Sequence, residues 1–168
     1  RFTSDARSDA RAPVSARREP ALSSDAVTAV FFVDGSSLTG DLIVSWQAAG
    51  HGIAAIVVAP GRRSGRWAFR RVATSTGAPV KFLKRRIDWQ ELAAWIAPLA
   101  ADVLISYAFP RLVPSTFLAL FPSGGVNFHP ALLPYYRGPQ PLICMVADGA
   151  WRSQGGMTLH VMSDAYDQ

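Results

Sequence analysis

The sequence contains a single cysteine in 168 residues and no clustered candidate metal ligands. Cys144 has no second cysteine with which to form a disulfide, and because its stretch is apolar we expect a buried thiol in a reducing compartment. His51, His129 and His160 lack the spacing of metal-binding histidines. The sequence therefore predicts neither a structural disulfide nor a metal site.

Long apolar runs are also missing. No run approaches the roughly 20 residues that a helix needs to cross a bilayer. The N-terminus likewise has no apolar core of the kind that a secretory signal requires. We therefore expect a cytoplasmic protein with no membrane partner.

The first 26 residues differ in composition from the rest of the chain. They are rich in Arg, Ser and Ala and show neither helical nor strand periodicity, which predicts a flexible leader. Acidic residues within this segment count against an organelle transit peptide. The remaining residues, 27–168, are long enough and apolar enough to form one domain around one core.

From Val27 onward, β-branched runs alternate with amphipathic stretches, which predicts an α/β fold with a mainly parallel sheet. We expect strands over residues 27–33, 53–60, 79–83, 102–108, 124–129 and 155–162. Helices are expected after the turn at 34–40, over 88–99 and over 141–148. Asp88 and Glu91 have the spacing of a helix N-cap and its reciprocal acid.

A polar pair ends the fifth predicted strand. Asn127 and His129 are two residues apart, so their side chains share one face of the strand, and Pro130 terminates it. Ligands of open α/β sheets bind at the carboxyl ends of the strands. An amide NH₂ and a protonated imidazole are two donors that could stabilise one developing oxyanion. The same pair is also compatible with an ordinary strand-end hydrogen bond.

A histidine used in this way needs a carboxylate to orient it and to favour its charged form. Asp167 follows the sixth predicted strand and is placed to supply that carboxylate, with Asp164 as the competing candidate. A serine nucleophile is disfavoured because the chain has no Gly-x-Ser-x-Gly elbow. These residues indicate acyl-transfer chemistry without a covalent serine.

The stretch NFHPALLPYYRGPQP, residues 127–141, resembles the signature of the 10-formyltetrahydrofolate-dependent formyltransferases, Asn-x-His-x-Ser-Leu-Leu-Pro-x-Tyr/Trp-Arg-Gly-x-x-Pro. SYAFPRLVP and GGMTLHVMSDAYDQ are similar to other parts of the N-terminal catalytic domain of methionyl-tRNA formyltransferase-like members. The resemblance covers residues 27–168 and implies a Rossmann-like sheet with helices on both faces. Ala131 replaces the usual serine, and the sequence ends before the family's next glycine, so we expect a C-terminally truncated domain.

The resemblance also implies roles for individual residues. Asn127, His129 and Asp167 would be catalytic, with 10-formyltetrahydrofolate as formyl donor and no metal. The folate would contact Leu132, Leu133, Pro134, Tyr107 and Phe109, and the acceptor would contact Arg137 and Gly138.

The turn DGSSLTG, residues 34–40, suggests a further contact with the acceptor. Its backbone N–H groups would lie at a helix N-terminus, where phosphate groups bind. Gly35, Ser36 and Ser37 are therefore candidate acceptor-binding residues, although an ordinary turn between a strand and a helix explains them equally well.

The nature of the acceptor depends on a basic stretch after the second predicted strand. It comprises Arg62, Arg63, Arg66, Arg70, Arg71, Lys81, Lys84, Arg85 and Arg86. Its first part, residues 59–71, resembles the basic loop of methionyl-tRNA formyltransferase, which suits a phosphate-rich acceptor. A solvated surface explains the same charges, and MSDAYDQ departs from the Met-Asp-x-Gly-x-Asp run of that subfamily.

We therefore expect an N-formyltransferase that acts on a primary amine: a small molecule, a sugar nucleotide or a carrier-bound amino acid. Methionyl-tRNA is the alternative acceptor. Two other functions stay open, a hydrolase of formyl-folate and a non-catalytic folate-binding module.

Overall fold

The computed structural model describes residues 26–59, 63–163, 165 and 167, and for residues 63–68 it describes the backbone alone. Almost all of the predicted leader, residues 1–25, lies outside the described residues, as do Arg62 and Asp164.

Six strands form one sheet in the order β3-β2-β1-β4-β5-β6. They are β1 (Thr28–Val33), β2 (Gly52–Val58), β3 (Val80–Phe82), β4 (Val103–Tyr107), β5 (Gly125–His129) and β6 (Thr158–Val161). The first five are parallel, and β6 pairs with β5 in the antiparallel direction. Because parallel strands are covered on both faces, they appear in the sequence as continuous apolar runs, and the mainly parallel sheet that these runs predicted is confirmed.

The helices are α1 (Ser37–Ala48), α2 (Arg63–Thr76), α3 (Trp89–Ile96), α4 (Ser115–Leu118), α5 (Pro141–Ala147) and α6 (Trp151–Gln154), with a 3-10 turn at Ala97–Leu99. The predicted start of α3 is confirmed, because the Asp88 carboxylate accepts hydrogen bonds from the N–H groups of Gln90 and Glu91, each at 3.0 Å. The Glu91 carboxylate accepts a 2.8 Å hydrogen bond from Lys81.

The basic stretch corrects one expectation. The sequence resembled a basic loop over residues 59–71, whereas the structure has helix α2 from Arg63. Phe69 is fully buried, and Val72 packs so closely on Gly40 of α1 that a Cβ there would lie 3.2 Å from it. Apolar residues three apart share a helix face, so this pair anchors α2 while Arg70 and Arg71 remain exposed.

Helices cover both faces of the sheet, as predicted. Alternation along β1 sends Phe31 to the face under α1 and α2, where it packs with Ile43 and Phe69. The neighbouring Phe32 points to the opposite face and packs with Leu92 of α3 and Phe117 of α4. The core is therefore two apolar layers separated by the sheet.

The thiol of Cys144 is exposed, contrary to the buried cysteine that the sequence predicted. Helix α5 buries Pro141 and Met145, which are one turn apart, and Cys144 lies outside that narrow face. None of the helices in the part of the chain that the structure describes is both long enough and apolar enough to span a membrane.

Candidate active site

The candidate site lies where the strand order reverses. From β1 the chain winds outward to β2 and β3, and it then returns to β4 on the other side of β1. Such a switch point opens a crevice at the carboxyl ends of the strands. An open cavity of about 280 Å³ lies there, and residues following β1, β4, β5 and β6 line it.

Asp167 is the centre of the polar groups in this cavity. Its Oδ1 lies 3.3 Å from Asn127 Nδ2, 3.4 Å from His129 Nδ1 and 3.3 Å from His160 Nε2. Its Oδ2 accepts a 2.7 Å hydrogen bond from the Gly138 N–H. Only 7% of Asp167 is exposed, so donors surround its carboxylate in a nearly dry setting. We call Asn127, His129, His160 and Asp167 the Asp167 cluster.

The two ring nitrogens of His129 face acceptors. Nε2 lies 2.8 Å from the Tyr136 carbonyl oxygen, and Nδ1 faces the Asp167 carboxylate. A carbonyl oxygen cannot donate, so Nε2 carries a hydrogen, and a hydrogen on Nδ1 as well completes both bonds. Both ring nitrogens are therefore placed to donate when the ring carries two hydrogens, with the Tyr136 carbonyl accepting from Nε2–H and the Asp167 carboxylate from Nδ1–H.

The side-chain amide nitrogen of Asn127 has two partners that lie close together. His160 Nε2 lies 3.2 Å from Asn127 Nδ2, and Asp167 Oδ1 lies 3.3 Å from both nitrogens. These distances form a nearly equilateral triangle, so the two partners subtend about 60° at the amide nitrogen, whose two N–H bonds diverge by roughly 120°. Both partners therefore lie on the same side of the amide, and the hydrogen bonds to them are bent.

The sequence interpretation missed His160, which it considered only as a metal ligand. In the sheet His160 pairs directly with Asn127, and His129 pairs with Thr158. The alternation of TLHV places Thr158 and His160 on one face of β6, which is the signal that could have identified them once β6 was paired with β5.

Thr158 holds the loop that follows β5. Its hydroxyl donates to the Ala131 carbonyl at 2.7 Å and accepts from the Leu133 N–H at 3.0 Å. Farther along, the Tyr136 phenol donates to Asp148 at 3.2 Å, and desolvation together with this hydrogen bond raises the pKa of Tyr136. The loop is thus fixed on both sides of the carbonyl that contacts His129.

Of the predicted folate and acceptor residues, Phe109 and Gly138 line the cavity. Within the described residues its lining does not include Leu132, Leu133, Pro134, Tyr107, Arg137, Gly35, Ser36 or Ser37. Tyr107 packs on Phe128 at 5.9 Å between ring centroids, and alternation sends Ser106 to the cavity instead. Asp34 and Arg111 also line the cavity and were missed.

In the described ranges, with their gaps, no group of three or more His, Cys, Asp or Glu side chains is arranged to hold a metal ion.

An open, mainly parallel α/β sheet with an amide, two imidazoles and a carboxylate at β5 and β6, in a cavity that extends to the switch point, defines a Rossmann-like protein with a polar ligand site. Comparison with known proteins narrows that class. The family described as "Formyl transferase" matches residues 27–168, and the chain belongs to this family. The family that the signature at residues 127–141 predicted is therefore confirmed.

Two relatives indicate how much of a longer protein the chain matches. A methionyl-tRNA formyltransferase of Borrelia hermsii is 27% identical over 138 residues, which are 80% of this chain and 44% of the relative. Another from Anaeromyxobacter dehalogenans is 36% identical over 124 residues, which are 71% of this chain and 39% of the relative. The chain thus spans less than half of the length of these curated relatives.

Solved structures share the fold. A phosphoribosylglycinamide formyltransferase from Bacillus halodurans superposes with a TM-score of 0.68 at 22% identity, covering 84% of this chain and 74% of that one. A formyltetrahydrofolate deformylase from Pseudomonas syringae pv. tomato gives 0.66 at 16% identity, covering 86% and 48%. At these identities the likeness establishes the Rossmann-like fold.

Proposed function

We propose that the protein is an N-formyltransferase that moves a formyl group from 10-formyltetrahydrofolate to a primary amine. The observation that carries this proposal is the Asp167 cluster, which places amide and imidazole donors around a buried carboxylate in an open cavity. The names of the relatives support the same reaction class.

The cavity suits a folate on one side. Phe109, Leu142 and Ile143 form part of an apolar wall beside the polar cluster. A flat aromatic ring system is held by such a wall, while a few polar groups orient its reactive atom. These residues would hold the donor, which supplies the activated formyl carbon.

The residues of the Asp167 cluster have separate tasks. An unprotonated amine attacks the formyl carbon, and negative charge develops on the formyl oxygen. Asn127 lines the cavity, and an N–H of its amide donates to that oxygen, the arrangement that stabilises acyl-transfer intermediates. Asp167 holds the His129 ring and offsets its positive charge.

His129 supplies a proton to the departing folate nitrogen, and the proton that the attacking amine loses restores the charge of the ring. Its Nε2–H is bonded to the Tyr136 carbonyl, so that bond must open before the hydrogen can reach a ligand. Of the residues that the sequence assigned to the acceptor, Gly138 lines the cavity and would contact the amine, while Gly35, Ser36, Ser37 and Arg137 lie outside its lining. A small molecule, a sugar nucleotide or a carrier-bound amino acid is the favoured acceptor.

The test supplies purified protein with 10-formyltetrahydrofolate and a panel of primary amines. It measures tetrahydrofolate by absorbance and formylated product by mass spectrometry. We expect amine-dependent turnover that falls on the order of 10²–10³-fold in Asn127→Ala and His129→Ala. His51→Ala is the matched control, because His51 directly precedes β2 at the amino ends of the strands, where it accepts from the Val27 N–H.

Other outcomes separate the competing functions. Release of formate without any amine indicates the formyl-folate hydrolase. Folate binding without turnover indicates the non-catalytic module. Either result contradicts the transferase proposal.

Methionyl-tRNA is the second candidate acceptor, because the relatives carry that name and α2 exposes Arg70 and Arg71. Charge reversal at Arg62, Arg63 and Arg66 tests this acceptor. Arg62 and the side chains of Arg63 and Arg66 lie outside the described part of the chain. With tRNA as acceptor, binding falls steeply with salt and the slope flattens in the triple variant, because phosphate contacts release counterions. A small amine leaves its affinity within a few-fold in the same variant.

A further inference from the structure

The turn between β1 and α1 brings a carboxylate into the candidate active site. Asp34 follows β1 directly and lines the same cavity as the Asp167 cluster. The turn also ends at the N-terminus of α1, where free N–H groups and the helix dipole attract anions. Whether an acceptor phosphate can bind there depends on Asp34.

The Asp34 carboxylate already occupies the role of that anion. Its Oδ1 accepts a 2.8 Å hydrogen bond from the Ser36 N–H, at the residue that caps α1. The same oxygen lies 3.3 Å from the hydroxyl of fully buried Thr39, which shares its single hydrogen with the Ser36 carbonyl at 2.9 Å. The Ser36 side chain makes no capping bond, and the first turn of α1 has no acidic residue. Asp34 therefore supplies the negative charge at this helix end.

The hydrogen bonds that the structure describes for Asp34 use one of its two carboxylate oxygens. Both hydrogen bonds of Asp34 go to Oδ1, and among the described residues Oδ2 has no partner. Two other charged side chains line the cavity. They are Asp167, whose carboxylate contacts two imidazoles, and Arg111, in the loop after β4. Asp34 therefore makes the β1 side of the cavity suited to hydrogen-bond donors.

We infer that Asp34 determines acceptor specificity: it repels a phosphate at the β1–α1 turn and accepts a hydrogen bond from a hydroxyl or amino group of an acceptor that carries no phosphate at that position. This inference rests on the proposed formyl transfer. A phosphate bound at this turn would place a second anion beside the carboxylate. Repulsion between two neighbouring negative charges weakens phosphate binding on the order of tenfold or more. The neighbours named phosphoribosylglycinamide formyltransferase act, by that name, on a phosphate-bearing amine.

The first test needs no turnover. Inorganic phosphate is titrated into the protein while the backbone amide signals of Gly35, Ser36 and Ser37 are followed by NMR. We expect no saturable shift of these signals in the wild type. In Asp34→Asn we expect a saturable shift, with phosphate bound at least tenfold more tightly than by the wild type. Asparagine keeps an oxygen that can accept from Ser36, and Asp34→Ser is a second variant should the first be unstable.

The matched control is Asp88→Asn. Asp88 also accepts two backbone N–H bonds at a helix start, but it lies at α3, outside the cavity lining. We expect no phosphate shift at the β1–α1 turn in this variant. Saturable phosphate binding at the turn of the wild type, or its absence in both Asp34 variants, overturns the inference.

The second test compares acceptors. With 10-formyltetrahydrofolate as donor, kcat/KM is measured for phosphoribosylglycinamide and for its dephosphorylated riboside. The ratio of the first to the second is expected to rise at least tenfold in Asp34→Asn and to stay unchanged in Asp88→Asn. An unchanged ratio in Asp34→Asn contradicts the inference. If the wild type formylates neither compound, the proposed function fails for these amines, and the phosphate titration still decides the role of Asp34.

Discussion

The Gly138 N–H donates a 2.7 Å hydrogen bond to Asp167 Oδ2. This bond connects the loop after β5 to the segment after β6, while the other oxygen of the same carboxylate contacts His129. Loop position and histidine orientation therefore depend on one acidic side chain.

Asp167→Asn is expected to lower turnover on the order of 10²–10³-fold, because a neutral amide cannot balance an imidazolium at His129. The free energy of unfolding should fall by about 1–3 kcal/mol, since buried donors lose their charged acceptor. Activity assays and thermal melts measure the two effects. Asp148→Asn is the control: it contacts Tyr136 of the same loop from an exposed position and should keep activity within a few-fold. Equal turnover of the two variants would remove Asp167 from the mechanism.

Gly138→Ala is expected to cost about 1–2 kcal/mol in stability and to lower turnover. The φ of Gly138 is +99°, and a Cβ there meets no atom within 4 Å, so the cost is backbone strain and not steric overlap. The lost activity follows from displacement of the N–H that contacts Asp167.

Gly149→Ala provides the matched comparison, because Gly149 also has a positive φ, +68°, and no neighbour within 4 Å, and it follows α5 away from Asp167. It should lose similar stability and keep its turnover. A comparable loss of activity in both variants would mean that strain alone explains the result.

Phe32→Leu and Phe31→Leu form a matched pair on the two faces of β1. Each is expected to cost about 1–2 kcal/mol, because both side chains are fully buried. Phe32 contacts Phe109 at 4.9 Å between ring centroids, and Phe109 lines the cavity. Only Phe32→Leu should therefore raise the KM for the folate donor, by several-fold. Identical donor KM values in the two variants would show that packing around Phe32 does not affect donor binding at the site.

His160→Ala is expected to lower kcat about five- to tenfold while leaving the KM for the donor unchanged, because the ring positions Asn127 without lying on the path of the formyl group. His51→Ala, at the amino ends of the strands, should lose stability through its contacts with Trp46 and keep kcat. Steady-state kinetics with both substrates distinguishes the two. A rise in KM alone for His160→Ala would show that His160 contacts substrate.

Much of the fold could be predicted because local patterns reflect burial directly. The apolar run of Thr28–Val33 and the Asp88 cap each identify an element from neighbouring residues alone. Helix α2 was missed because its arginines suggested a basic loop, although Phe69 and Val72 lie at helical spacing. Only the structure shows where that apolar face packs, because Val72 contacts Gly40 of α1.

The candidate site, like the fold, could be predicted only in part from the sequence. The sequence by itself determined that Asn127 and His129 share a face at a strand end, because alternation is a local property of the backbone. Only the tertiary structure decided which groups contact them: His160 across the antiparallel β5–β6 pair and the Tyr136 carbonyl at His129. It also placed Asp34, which follows the first strand, in the lining of the same cavity. These partners are brought together by strand order and loop closure, which depend on packing between segments distant in the chain.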